Sequence, residues 1–213
     1  MRLQNSIRGR KASGAYSLVE LIAVTGIVLL MVSMAVPTVL DLLKSMRMNH
    51  AAEMLQARLM EARAMAVTHN RDIEVRVYKN GADARMDLAS GHGMQLFRLN
   101  AEAGQGLGQE AGALRMIPEG VEDKLPLSVQ FSLNAEFTSF WKLTLQKELS
   151  AKGPREYVAF RYRPDGSTDL AEDQKWTLSL VAQPEEDASR LPANFVVFML
   201  DPVTGYIRRF RPE

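Results

Sequence analysis

Leu18 to Leu40 reads LVELIAVTGIVLLMVSMAVPTVL, 23 residues with a single charge, Glu20. At about 1.5 Å per helical residue the run measures roughly 35 Å, enough to cross a hydrocarbon layer of about 30 Å. It exceeds the apolar stretch of about 7 to 15 residues found in a cleaved secretory signal. Arg2, Arg8, Arg10 and Lys11 precede it without an acid, whereas Asp41 follows at once and Lys44 and Arg47 come later. That asymmetry favours an N-terminus in the cytoplasm and a body outside. The expected plan is a cationic leader at 1–15, a transmembrane helix at 16–40, an amphipathic stem helix at 41–71 and a β-rich domain at 72–213.

Glu20 needs a physical reason. A carboxylate at mid-span costs about 2.5 to 3.5 kcal/mol on insertion scales, and less near an end. Either Glu20 sits among headgroups beside the leader, or it neutralises a positive group arriving in the membrane, for which a free α-amine exposed by cleavage is a candidate. Pro37 removes a backbone hydrogen bond near the far end of the run and favours a kink or local melting, with or without a functional role. Thr25, Gly26 and Ser33 allow close backbone packing against another membrane helix.

The run Gly14-Ala15-Tyr16-Ser17-Leu18-Val19-Glu20, with Arg10 and Lys11 before it and the apolar helix after it, resembles the class III signal of type IV pilins and pseudopilins. The resemblance implies that a prepilin peptidase cuts on the cytoplasmic side and leaves the helix attached. It also implies that the new terminal residue, commonly aromatic, is N-methylated, and that a glutamate four residues later serves assembly. In this chain those positions are the Ala15–Tyr16 bond, Tyr16 and Glu20. Ala15 stands where the family usually has glycine; cutting after Gly14 instead would make Ala15 the terminus and set Glu20 one residue too far along. In a helical filament the carboxylate of an incoming subunit would pair with the terminal ammonium of a neighbour, and two charges costly to bury apart become tolerable together. Many family members also carry a helix-disturbing proline like Pro37.

Beyond the apolar run, Leu43, Ala51, Leu55, Leu59, Ala62 and Ala66 recur at helical steps with Met54 and Met65 beside them, while Arg47, Glu53 and Arg63 mark the opposite face. The spacing predicts an amphipathic helix whose stripe packs on a sheet, the methionines serving as core filler. Asn70 ends it, and Ile73, Val75 and Val77 open the first strand. From about 80 to 127 the chain is glycine-rich and loosely patterned, with Met94 to Leu99 read as a short strand inside it. Further strands are predicted at Ser128 to Leu133, Phe140 to Leu145, Glu156 to Tyr162, Trp176 to Ala182, Phe195 to Leu200 and Tyr206 to Arg211. Pro164-Asp165-Gly166 reads as a turn, Gln183 to Pro192 as a polar loop, and Asp201-Pro202-Val203-Thr204-Gly205 as the link of a terminal hairpin. The fold class expected is α+β: a long N-terminal helix, half membrane-embedded and half amphipathic, packed on an antiparallel β-sheet.

Leu59 to Val67 running into Ile73-Glu74-Val75-Arg76-Val77 is similar to the GspH/FimT group of minor pseudopilins and pilins, whose pattern is a small residue and arginine, then alanine and an aliphatic, then an alternating strand. Phe160 to Gly166 and the Asp201 to Gly205 hairpin resemble late strands of the same group. With the leader and the terminal Arg-Pro they also resemble the pilin-like cassette D proteins described in Verrucomicrobia. The resemblance implies other pilin-like subunits, a prepilin peptidase and methylase, an inner-membrane assembly platform and membrane lipid as partners. A secretion pseudopilus and a type IV pilus both remain open, with GspH/FimT leaning to the former.

Composition excludes several chemistries. The chain has no cysteine, so it has no disulfide, thiolate zinc site, iron–sulfur cluster or cysteine nucleophile. Of its 26 basic residues four lie in the leader, leaving 22 against 25 acidic ones, which gives no reason to expect nucleic acid as a partner. His50, His69 and His92 are dispersed, no nucleophile elbow occurs, and Gly104-Gln105-Gly106-Leu107-Gly108 lacks the spacing of a phosphate loop. Glu185-Glu186-Asp187 reads as solvated, and no EF-hand pattern is present. No catalytic residue, cofactor or metal is expected. Arg161, Arg163, Arg208, Arg209 and Arg211 give the late strands a basic side, either guarding an edge or meeting an acidic partner subunit. Phe195, Phe198, Tyr206 and Phe210 are expected in the sheet core. The competing class is a single-pass anchored module whose exposed domain captures a ligand.

Overall fold

The structure, a computed structural model, describes residues 17–79, 93–100, 115–126, 128–150, 153–182 and 190–211; side chains at 34, 35, 37, 38, 40, 41, 100, 115, 150 and 153 fall outside that description. The chain divides after Leu42 into two compact units.

The first unit holds the beginning of helix α1, assigned over Leu18–His69 and running through Pro37 without interruption. Every large apolar side chain described from Leu18 to Val32 is at least half exposed, from 50% at Val32 to 75% at Leu18. Its hydroxyls are spent internally: Thr25 Oγ1 donates to the carbonyls of Leu21 and Ile22 at 2.9 and 3.0 Å, and Ser33 Oγ to that of Leu30 at 2.8 Å. A helix so arranged presents hydrocarbon on all sides past its first turn, with the Thr25 and Ser33 hydroxyls satisfied by its own carbonyls. Among the described residues no helix is long and apolar enough to cross a membrane. Five positions of the 23-residue run read from the sequence, 34, 35, 37, 38 and 40, have side chains outside the description.

In the second unit α1 becomes amphipathic. Met48, Ala51, Leu55, Leu59, Ala62 and Ala66, three or four residues apart, are buried with Ala52 beside them, and the alanines let backbone approach backbone. The stripe starts at Met48; Leu43, expected within it, is 42% exposed. The helix stops because Asn70 adopts φ 51°, a left-handed conformation that asparagine tolerates. Asn70 N then donates to Val67 O at 3.4 Å and Arg71 N to Ala66 O at 3.2 Å, closing the last carbonyls.

Among the described residues nine strands follow: β1 Ile73–Lys79, β2 Gly93–Asn100, β3 Arg115–Lys124, β4 Val129–Phe131, β5 Gln146–Ser150, β6 Gly153–Tyr162, β7 Trp176–Ala182, β8 Phe195–Leu200 and β9 Ile207–Phe210. They form a five-stranded sheet ordered β3-β2-β1-β6-β5 and a four-stranded sheet ordered β4-β7-β8-β9, every pairing antiparallel. Ile73, Val75 and Val77 sit opposite Tyr162, Phe160 and Val158 on the inner face of the first sheet. Leu178 and Leu180 face Phe198 and Val196 on the second. With the α1 stripe these residues form one buried cluster. The expected α+β arrangement is the one observed.

The strand expected at Met94 to Leu99 is β2, but the glycine-rich stretch around it also carries β3, which was not expected, and the Phe140–Leu145 strand is replaced by a 3-10 turn over Ser139–Lys142. Phe140 packs on Phe160 and Trp176, with ring centroids 5.1 and 5.7 Å apart, while the adjacent Trp141 donates its indole N–H to Ser132 O at 2.7 Å. A strand would send those neighbours to opposite faces; a turn serves both.

The outer face of the five-stranded sheet is a layer of neutralised arginines. Glu74 accepts from Arg76 at 2.8 Å and from Arg161 at 3.1 Å, and Arg76 also reaches Glu148 at 3.3 Å. Arg155 lies 4.1 Å over the Tyr78 ring and grips Glu122 with two bonds of 2.7 and 2.8 Å. Glu122 occupies the space left by Gly93, where an added Cβ would meet its carboxylate oxygen at 2.5 Å. Arg161, expected on a basic side, is therefore already compensated.

Candidate functional site

Two places, one in each unit, gather residues that the sequence marks out. In the first, α1 as described opens at Leu18. Ser17 caps it, its Oγ accepting from Val19 N at 3.2 Å and its carbonyl from Leu21 N at 3.1 Å. Glu20 lies exposed in the first turn. A carboxylate there faces the free N–H groups and positive end of the helix dipole, worth about 0.3 to 1 kcal/mol. Glu20 is thus at an end of the described apolar segment, where a charge costs least. Gly26 has nothing within 4 Å of the position a Cβ would take, so among the described residues none uses the close approach it permits. Ala15 and Tyr16 lie outside the described residues, as does the Pro37 side chain.

The second place was not found from the sequence as a site, although each of its parts was singled out. Arg63 of α1, expected on the solvent face, is half-buried at a three-way junction. Its Nε donates to Thr204 O at 3.0 Å and Gly166 O at 3.3 Å, and its guanidinium carbon stands 4.2 Å over the Tyr206 ring. The helix, the turn after β6 and the β8–β9 hairpin are therefore joined through one side chain. Two glycines make room for it. Gly166 has φ 84° and Gly205 φ 67°, and a Cβ on Gly205 would collide with the Gly166 carbonyl oxygen. Thr168 tightens the junction, its N–H donating to Pro202 O at 2.8 Å and its Oγ1 to the same oxygen at 3.0 Å.

Each loop is also closed by an aspartate. Asp165 accepts from Ser167 Oγ at 2.6 Å and Ser167 N at 2.9 Å, and these bonds hold its carboxyl below the ordinary value. Asp201 accepts from Thr204 Oγ1 at 2.8 Å and Val203 N at 3.1 Å, and is lowered first by the Thr204 bond. Tyr162, fully buried beneath the junction, has its phenol pushed up by burial. Tyr206 and Phe210, expected in the core, are 62% and 49% exposed. Arg211 binds Asn49, and reaches Ser45 at 3.1 Å and Asn194 at 3.2 Å, fastening the end of β9 to α1.

These groups hold segments together, and no nucleophile–base pair lies among them. Among the described residues no group of three His, Asp or Glu side chains is placed to hold a metal. An open cleft of about 290 Å³ beside the hairpin is lined by Glu172, Lys175, Met199, Asp201, Tyr206 and Arg208 among others.

No protein-family model and no curated protein matches the chain. Two solved structures are similar. The minor pseudopilin EpsH from the Type 2 Secretion System of Vibrio cholerae is 15% identical with a TM-score of 0.41, the match covering 78% of this chain and 98% of that one. The type IV minor pilin FimU of Pseudomonas aeruginosa is 18% identical with a TM-score of 0.36, covering 78% and 97%.

Proposed function

We propose that this chain is a minor pilin-like structural subunit of a type II secretion-type pseudopilus or related type IV filament. In this reading it is inserted in the bacterial inner membrane with its leader in the cytoplasm and its body in the periplasm. Prepilin peptidase cuts between Ala15 and Tyr16, Tyr16 is N-methylated, and the assembly platform draws the subunit out of the lipid into the filament. Its role is to pack, not to catalyse. One observation carries the reading: an apolar helix that nothing among the described residues covers, with a lone carboxylate in its first turn. Lipid before assembly and neighbouring helices afterwards would cover the hydrocarbon, and a neighbour's terminal ammonium would compensate Glu20.

Mass spectrometry of the mature protein tests the processing. The expected N-terminus is methylated Tyr16, and an intact Met1 in a host with active prepilin peptidase would contradict it. The cleft beside the hairpin favours a second reading, a membrane-anchored ligand-binding module. A tether tolerates Glu20→Ala, whereas an assembling subunit with that change stays in the membrane and leaves the filament.

A further inference from the structure

We infer that the outer edge of β9 is a docking edge for an extended acidic segment of a partner subunit. β9 is the last strand of its sheet, and among the described residues nothing pairs with its far side. It carries Arg208 and Arg209, followed by Arg211, and among the described residues none of these makes an ion pair with a carboxylate. Asp201 feels the field of Arg208, but its own oxygens are engaged by Thr204 and Val203. Arg211 is held by the neutral oxygens of Asn49, Ser45 and Asn194.

The arginines of the other sheet are treated differently. Arg76, Arg98, Arg155 and Arg161 each have a carboxylate, at 2.8, 2.9, 2.7 and 3.1 Å. Positive charge left without an ion pair on the edge of one sheet, where the other sheet pairs its arginines with carboxylates, is complementary to an acidic partner. Charge alone would also guard an edge against pairing. A guarded edge, however, gains nothing by exposing aromatics, and here Tyr206 and Phe210 flank the arginines at 62% and 49% exposure. Arginine with tyrosine and phenylalanine is the composition of interface centres. The β3 edge lacks these features, since Pro118 interrupts it and Glu119, Glu122 and Asp123 are bound by the chain's own arginines.

The register specifies the occupant. Arg208 stands opposite Met199 and Arg209 opposite Phe198, so the two guanidiniums leave β9 on opposite faces. An added strand meets both only with two adjacent acidic residues, and it meets Phe210 with an apolar residue next to that pair. Main-chain hydrogen bonds to the free edge supply affinity, and the acidic pair supplies register. The inference rests on the reading that the chain assembles with partner subunits, but not on the role given to Glu20.

The test uses the full chain in detergent and a fluorescent peptide of about seven residues, the length of an ordinary strand, with two adjacent glutamates flanked by valine and tyrosine. Saturable binding that falls with salt is expected. The double variant R208E/R209E, folded as judged by circular dichroism, should bind about tenfold or more weakly, and a lysine-for-glutamate peptide should regain the affinity on that variant. Glu20→Ala should bind the acidic peptide like wild type whether or not it enters filaments, which separates a failure of this surface from a failure of the assembly reading. Equal binding by wild type and R208E/R209E would overturn the inference. So would binding to vesicles of phosphatidylglycerol and phosphatidylethanolamine with none to the peptide, which would make the patch a lipid contact. Peptide binding seen only when Glu185, Glu186 and Asp187 are neutralised would also overturn it, by assigning the edge to the chain's own acidic segment.

Discussion

The two parts of α1 obey opposite rules. Between Leu18 and Val32 the helix is apolar all round, and its large side chains are at least half exposed; between Met48 and Ala66 it is apolar on one stripe, and that stripe is buried to a few per cent or less. The second part is explained by its own chain, because Ile73, Val75, Val77, Phe160 and Phe198 share the cluster that covers it. The first part has no such cover among the described residues. Burial of apolar surface is worth about 25 cal/mol per Å², so a segment this apolar calls for a lipid phase or other helices. In the proposed function the contrast separates what folds the chain from what would assemble it.

Substitutions can break that division. Leu55→Ala should cost the body about 2 to 5 kcal/mol through lost transfer energy and a cavity, read by denaturant unfolding of the full chain in detergent. Ile22→Ala should leave the same transition unmoved. A comparable loss from Ile22→Ala would mean that the first part of the helix helps to fold the body, and the contrast would fail.

The Arg63 junction sharpens the comparison, being the point where the second part of α1 meets both loops. Gly205→Ala must adopt φ 67° and displace the Gly166 carbonyl, so a loss of roughly 2 kcal/mol is expected. Arg63→Ala gives up two hydrogen bonds and the stacking on Tyr206, and should lose about 1 to 2 kcal/mol. The double variant should cost less than the sum if the two residues form one unit.

The smallest effects belong to pH. Burial, and for Tyr78 the neighbouring Glu148, hold the phenols of Tyr78 and Tyr162 above their ordinary value of 10.0. The unfolded chain therefore loses those protons first. Stability is intact below about pH 10 and declines as pH rises above it. Tyr78→Phe should flatten part of that decline in a pH series of unfolding midpoints. At the acid end the lowered carboxyls of Asp165 and Asp201 contribute above the ordinary value of 3.8 and are lost as pH falls below it. Their turns should loosen there first, visible as faster amide exchange at Ser167 and Val203.

Elements with strong apolar periodicity were legible in the sequence. β7 and β8 fall on the predicted residues, and α1 ends at Asn70 as expected. What was missed depends on pairing between distant residues. β3 holds Pro118 and Gly120 and shows no alternation, because it is secured by Glu119 to Arg98, Glu122 to Arg155 and Asp123 to Arg58. β5, Gln146–Ser150, is a polar edge strand with the same difficulty. Arg63 was visible as part of a motif but not as a link, since its partners lie 103 and 141 residues away. The only available signal was that Gly166 and Gly205 each closed a turn also marked as a motif.

The contrast between the two parts of α1 turns on Glu20, and the most direct test measures entry of Glu20→Gln into filaments in cells that also express the partner subunits. Sheared filaments and membranes are compared by quantitative immunoblot against wild type. The variant should be found at wild-type levels in the membrane, trimmed at its N-terminus, and depleted at least about tenfold from the filament fraction, the loss expected when about 1.4 kcal/mol or more of charge pairing is removed. Incorporation at the wild-type level would contradict the account, because the carboxylate would then have no partner to find.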